Sequence, residues 1–379
     1  MYEYQKNNRY FAQIAEGMKE LGAQELSGLG AREISPGYGG IYFHAGKEAL
    51  YRINYSARLA SRILAPLVSF HCRGTDQLYK KAKGINWTDF ISAENTFAVF
   101  GNVSNSRITN SHYASLCLKD GIVDSFREIT GKRPDVDPED PDIWLNLYIR
   151  DDEAVISLDT SGGSLHRRRY RKDSIEAPMQ ETVAAAIVRY TQWDGAVPLY
   201  DPMCGSGTIL CEALMHYCNV PSAVFRERFG FEFLPDYDSA LWTKTKKEAD
   251  GQIRELPEGL IAGSDISSEA VEIARANIRS LPHGDKVKLA VTDFRESEGL
   301  QNGVIITNPP YGIRMGNRLE LDPLYKSLGD FLKRKCHGST AYIYFGEREF
   351  IKKIGLKPAW KKPLKTGGLD GRLVKYELF

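Results

Sequence analysis

The stretch Val304-Ile305-Ile306-Thr307-Asn308-Pro309-Pro310-Tyr311-Gly312 holds the residue types in this sequence best suited to chemistry. Its β-branched run reads as a buried strand, and the two prolines end that strand by forbidding further ladder pairing or a helix start. The Asn308 amide both donates and accepts, Pro309 has a carbonyl but no N–H, and Tyr311 offers a flat face with a polar tip. Together they can hold a planar amine. The exocyclic amine of a nucleobase is a poor nucleophile, because its lone pair is delocalised into the ring. If the Asn308 side-chain oxygen and the Pro309 carbonyl hold its two hydrogens while the base stacks on Tyr311, the lone pair points at an incoming electrophile. No charged base is needed.

Asn-Pro-Pro-Tyr resembles the signature of amino-group methyltransferases that use S-adenosylmethionine, and a second cluster supports that likeness. Val197-Pro198-Leu199-Tyr200 reads as a strand running into Asp201-Pro202-Met203-Cys204-Gly205-Ser206-Gly207-Thr208. Gly205 and Gly207 let the backbone approach a ligand, and the helix from Thr208 aims its N–H groups and positive dipole end at the same place. A carboxylate-bearing or anionic ligand is expected there. A dinucleotide fingerprint wants a third glycine near position 210, where this sequence has Leu210, which disfavours a nicotinamide oxidoreductase.

Two further strands end in carboxylates. Leu260 to Asp265 places Asp265 where Rossmann-like folds bind ribose hydroxyls. Val287 to Thr292 brings Asp293 to a strand tip, able to accept from an adenine amine while Phe294 or Ile266 lies against the ring. Cys204, Cys211 and Cys218 recur every seven residues near His216 but match no zinc spacing, so no metal is expected.

The elements that must position these groups need more than one core. At 379 residues and 42% hydrophobic, the chain has room for two or three domains. Residues 1–70 read as strand, helix, two strands, helix, strand, a ferredoxin-like order. Residues 71–164 form a second α/β unit, with a helix at Ser111 to Thr130 and paired strands at Ile143 to Ile149 and Glu153 to Leu158. Residues 165–379 form the third unit, closed by a terminal hairpin of Trp360 to Leu364 against Leu373 to Phe379. Residues from about 219 to about 260 make a longer insertion than a crossover needs, either a cover over the sheet or a substrate lip.

Lys plus Arg is 50 against 49 for Asp plus Glu, so net charge does not argue for nucleic acid. A local cluster does. Arg167-Arg168-Arg169-Tyr170-Arg171-Lys172 is expected to contact RNA phosphates and an unpaired base. No run of apolar residues reaches a membrane span, and the cysteines lack Cys-x-x-Cys pairing, so a reduced, cytoplasmic setting is expected. The lysines from Lys352 to Lys365 make the C-terminal end basic, a solvated face or an RNA-facing one.

Taken together, the sequence resembles the THUMP-domain RNA guanine-N2 methyltransferases, in particular the bacterial branch acting on a guanine of 23S ribosomal RNA. The resemblance implies an α/β chain, with a Rossmann-like methyltransferase domain on a mostly parallel seven-stranded sheet, preceded by ferredoxin-like and THUMP-like domains. It implies S-adenosylmethionine binding by Glu181, Asp201, Pro202, Cys204, Gly205, Gly207, Thr208, Asp265, Ile266, Asp293, Phe294 and Asn308. It places Asn308, Pro309, Pro310 and Tyr311 at the acceptor base, with ribosomal RNA as substrate and transfer RNA as the alternative. A DNA adenine-N6 methyltransferase would use the same loop, and a non-catalytic RNA-binding factor would need only the basic cluster. Some family members carry a second, fused methyltransferase, whereas this sequence shows one.

Overall fold

The computed structural model describes residues 1–171, 179–311, 321–365 and 370–379. Its contacts divide the chain into two compact units: Met1–Ile14, Ala23–Leu165 and Arg226–Lys247 form the first, and Ala15–Gly22, His166–Phe225 and Glu248–Phe379 the second.

The first unit is built on α1 (Glu3–Asn7), β1 (Arg9–Gln13), α2 (Lys19–Gly28), β2 (Arg32–Gly37), β3 (Gly40–His44), α3 (Lys47–Ser56), β4 (Arg62–His71) and α4 (Thr75–Lys83). It continues with β5 (Thr96–Ser104), α5 (Ser111–Thr130), β6 (Asp135–Val136), β7 (Ile143–Arg150) and β8 (Glu153–Asp159). These strands form one eight-stranded sheet in the order β2-β3-β1-β4-β8-β7-β5-β6. The segments expected as two domains, 1–70 and 71–164, therefore share a single sheet. The joint is β4, long enough at ten residues to pair Leu64 with Phe11 of β1 and to continue beside β8 as far as His71 opposite Glu153. Strand alternation builds the core: Ile143, Leu145, Leu147 and Ile149 are fully buried, while Trp144 and Tyr148 between them and Arg150 after them are partly exposed, Asn146 alone being buried on the second face.

The second unit opens with α6 (Glu181–Thr191), β9 (Leu199–Asp201) and α7 (Thr208–Tyr217). The insertion that follows is mostly an arm of the first unit. Phe229, Phe231 and Trp242, the last on α8 (Ser239–Asp250), form an aromatic cluster with Tyr51 and Tyr55 of α3. Arg226 anchors its base by donating to the carbonyls of Ser161, Gly162 and Ser164. Aromatic burial accounts for this segment without a substrate lip.

The second unit then runs through β10 (Ile261–Asp265), α9 (Ser268–Arg279), β11 (Lys288–Val291), β12 (Val304–Thr307), α10 (Leu321–Lys335), β13 (Thr340–Phe345), β14 (Trp360–Pro363) and β15 (Arg372–Glu377). The seven strands are ordered β11-β10-β9-β12-β13-β15-β14, parallel except for the pairings of β15. On one face Ile305, Ile343, Val374 and Tyr376 pack against Leu328, Phe331 and Leu332 of α10. On the other, Tyr342 donates to the Thr191 carbonyl of α6 at 3.3 Å. The strand order reverses direction between β9 and β12, and in open α/β sheets ligands bind outside the strand ends at such a switch point.

Candidate active site

The two clusters picked out in the sequence emerge side by side. β9 and β12 are hydrogen-bonded parallel neighbours, with Leu199 opposite Val304 and Tyr200 opposite Ile305. Asp201 and Asn308 thus leave the same edge of the sheet from adjacent strands. Asp265 ends β10 on the far side of β9, and Asp293 follows β11 beyond it.

The glycine bend is held by its neighbour's carboxylate. Gly205 N–H donates to Asp265 Oδ2 at 2.9 Å, Ser267 N–H to Asp265 Oδ1 at 3.0 Å, and Cys204 N–H to the Ser264 carbonyl at 2.9 Å. Gly205 and Gly207 adopt φ of 52° and 79°, and a Cβ at Gly207 would come within 3.0 Å of Ala274 on α9. Gly207 is also the N-cap of α7, whose first turn has no side-chain cap. Asp265, expected to bind ribose, holds the loop in shape, with lone pairs remaining for a diol.

Asp201 is 1% exposed and accepts from Met203 N–H at 3.1 Å. Burial pushes its carboxyl up to about 7, opposed by the Thr307 hydroxyl and the Met203 N–H, with the Asp265 charge adding to the rise. Asp293 is the reverse case: Arg295 chelates it, Nε lying 2.9 Å from each oxygen, and holds the carboxyl below its ordinary value. Of the two apolar side chains expected beside an adenine, Ile266 is 67% exposed. Phe294 is not available, because its ring is buried in the core edge-on to Phe331.

At the proline corner, Asn308 Oδ1 is buried and has no hydrogen-bond partner among the described residues. An orphaned buried acceptor is costly and leaves an unmet demand for a hydrogen-bond donor. Pro309 is buried beside it, and the Pro310 carbonyl accepts from the Tyr325 hydroxyl at 3.1 Å. Tyr325 in turn stacks on Phe350, with ring centroids 4.5 Å apart. Tyr311 is buried, one ring face resting on Gly346, where an added Cβ would lie 2.7 Å from the ring. Gly312 and the eight residues after it lie outside the described residues. Neither Tyr325 nor Gly346 was marked by the sequence; the only available sign was that Gly346 directly follows an apolar strand.

The basic cluster needs correction. Arg168 is buried and pairs with buried Glu212 of α7, Nε to Oε1 at 3.2 Å. Tyr170 is fully buried with its hydroxyl 3.4 Å from the same oxygen. Arg171 pairs with Glu181 at 3.1 Å and also donates to Met179 O and Thr208 Oγ1. Arg168 is an internal strut neutralised by Glu212 away from solvent, Tyr170 is enclosed beside the same carboxylate, and Arg171 is held by Glu181, so the three do not offer an RNA surface. Arg167 and Arg169 are exposed, and Lys172 lies outside the described residues. Glu181 itself is 6% exposed, its carboxyl raised by burial against the pull of Arg171.

Among the described residues no cluster of three or more His, Cys, Asp and Glu is placed to hold a metal ion, and no helix is long and apolar enough to cross a membrane.

Comparison with known proteins agrees with this geometry. Residues 168–375 match the RMKL-like methyltransferase domain, residues 72–159 the THUMP domain, and residues 9–64 the RlmL ferredoxin-like domain. A protein of Synechocystis sp., provisionally named an RNA methyltransferase, is 37% identical over 371 residues, covering 98% of this chain and 97% of its own. The ribosomal RNA large subunit methyltransferase K/L of Vibrio campbellii is 36% identical over 98% of this chain, which spans 53% of that protein's length. A solved structure of a provisionally assigned methyltransferase complexed with S-adenosylhomocysteine is 29% identical, with a TM-score of 0.85 and 98% of both chains covered.

Proposed function

Because the chain belongs to the RMKL-like methyltransferase family, with a THUMP domain and a ferredoxin-like domain ahead of the methyltransferase domain, we propose that it methylates the exocyclic N2 amine of a guanine in RNA. S-adenosylmethionine is the methyl donor, 23S ribosomal RNA the first candidate substrate, and the cytoplasm the setting. The observation that carries this reading is the orphaned Asn308 Oδ1, buried at the strand end beside the glycine bend.

The donor set fits the cofactor. The bend at Gly205–Gly207, the uncapped start of α7, Asp265 with free lone pairs, Asp293 and exposed Ile266 surround the ends of β9, β10 and β11. Bound there, S-adenosylmethionine supplies an electrophilic sulfonium methyl. The protein's part is positioning. The target base leaves its stack, Asn308 Oδ1 and the Pro309 carbonyl accept its two amine hydrogens, and Tyr311, seated on Gly346, limits how the base lies. Orientation of this kind lowers the barrier without a titrating base; as the N–C bond forms and the S–C bond breaks, the proton that the amine gives up passes to water.

The test is to incubate purified protein with radiolabelled S-adenosylmethionine and, separately, 23S ribosomal RNA, transfer RNA and duplex DNA, and then identify the modified nucleoside by mass spectrometry. Label recovered as N2-methylguanosine in 23S ribosomal RNA is the expected result. Label in DNA adenine, or in no nucleic acid, contradicts the proposal.

A further inference from the structure

Asp293, the residue placed to meet an adenine amine, gets little support from its own strand. It follows β11, which is four residues long and lies at the edge of the seven-stranded sheet, so that only β10 pairs with it. One more backbone bond extends that pairing, from Thr292 N–H to the Asp265 carbonyl at 2.9 Å. The chain then turns tightly: the Asp293 carbonyl accepts from Glu296 and Ser297 N–H at 2.9 and 3.1 Å, and Asp293 Oδ1 from Arg295 N–H at 2.9 Å. A turn leaving an edge strand has no neighbouring strand on its outer side to fix where its side chains point.

The missing restraint comes from α10. The Phe294 ring is buried edge-on to Phe331, with centroids 5.6 Å apart. One turn later on the same helix face, Lys335 Nζ donates to the carbonyls of Arg295 and Ser297 at 2.9 and 2.7 Å. Gly299 brings the loop against the helix end, where an added Cβ would collide with the Lys335 carbonyl. Both Lys335 bonds are charge-assisted and the side chain is partly shielded from water, so the ammonium clamps the turn. Nearer its start, the same helix holds the Pro310 carbonyl through Tyr325, and α10 thus reaches both halves of the site.

We infer that Lys335 is a positioning residue for the cofactor: it holds the turn after β11 so that the Asp293 carboxylate faces the adenine N6 amine, and it acts only through that turn. This rests on the S-adenosylmethionine reading above. Arg295 occupies one edge of the carboxylate and leaves lone pairs for the amine.

The test compares two ligands that differ only at the amine. Calorimetric affinities of the full chain are measured for S-adenosylhomocysteine and for its analogue with hydrogen in place of the adenine N6 amine. The wild type is expected to prefer the first. Lys335→Met is expected to lose roughly five- to twentyfold affinity for it while binding the analogue nearly as the wild type does. Lys335→Arg, able to donate to both carbonyls, is expected to keep the preference. Lys335→Gln, too short to bridge them, serves if the methionine variant does not fold. A preference that survives in the methionine or glutamine variant, or equal weakening for both ligands, overturns the role of Lys335 alone. A wild type that binds both ligands equally overturns the pairing of Asp293 with the amine and this inference with it; a wild type that binds neither overturns the cofactor reading itself.

Discussion

The Tyr325 hydroxyl donates to the Pro310 carbonyl at 3.1 Å, and through this bond α10 grips the rigid corner that follows β12. Tyr325 is fixed by stacking on Phe350 and Phe345. A carbonyl next to the proposed amine-binding atoms is thereby tied to the core of the unit. Tyr325→Phe keeps the ring and removes only the bond. The transfer rate should fall about three- to tenfold, with cofactor affinity unchanged and stability altered by about 1 kcal/mol or less. Single-turnover kinetics and urea denaturation check this; an unchanged rate would mean that the bond does not position the corner.

Gly346 matters through what it leaves out. A methyl group there would lie 2.7 to 2.9 Å from three ring carbons of Tyr311, and backbone and ring cannot both stay in place. Gly346→Ala should cost about 1–3 kcal/mol of stability and slow methyl transfer more than tenfold by turning the tyrosine. If the variant transfers methyl groups at the wild-type rate, the seat assigned to Tyr311 is wrong.

Asp201 gives a pH signature. Its carboxyl sits near 7 in the folded protein against 3.8 as its ordinary value, so the folded state binds the extra proton. That proton's stabilisation is complete below about 3.8 and is lost as pH rises through 7, by at most roughly 1.4 kcal/mol per unit. Asp201→Asn is neutral throughout. Its stability relative to wild type should therefore rise between pH 4 and 7 and level off above. Denaturation curves at several pH values provide the measurement, and a difference independent of pH contradicts the raised carboxyl.

The buried Arg168–Glu212 pair separates struts from surface. Arg168→Met leaves Glu212 uncompensated in the interior and should cost about 3–5 kcal/mol. Arg169→Ala, on an exposed side chain, should stay within about 0.5 kcal/mol. Comparable midpoints for the two variants in urea would show that the pair is not structural.

The strand ends were readable because their grammar is local: an apolar run followed by Asp201, Asp265 or Asn308-Pro309-Pro310 signals both a strand and its stop. The basic run was misleading for the opposite reason. Charge density within six residues looks like a surface, while the partner that buries Arg168 is 44 positions away on α7. The insertion hid its purpose similarly, since Phe229, Phe231 and Trp242 acquire meaning only beside Tyr51 and Tyr55 of α3. The sharing of one sheet by the first two segments depends on β4 pairing on both edges, which strand periodicity does not report. Phe294 shows the limit of placing a side chain by its position after a strand: one turn of the backbone sends it into the core against Phe331.

The central claim is that Asn308 orients the acceptor amine and does little else, and one comparison tests it most directly. For Asn308→Ala and wild type, the single-turnover rate of methyl transfer to 23S ribosomal RNA is measured beside the calorimetric affinity for S-adenosylmethionine. A rate reduced about a hundredfold or more, with cofactor affinity within about twofold, is the predicted result; a rate near wild type, or losses of equal size in both quantities, would contradict the claim.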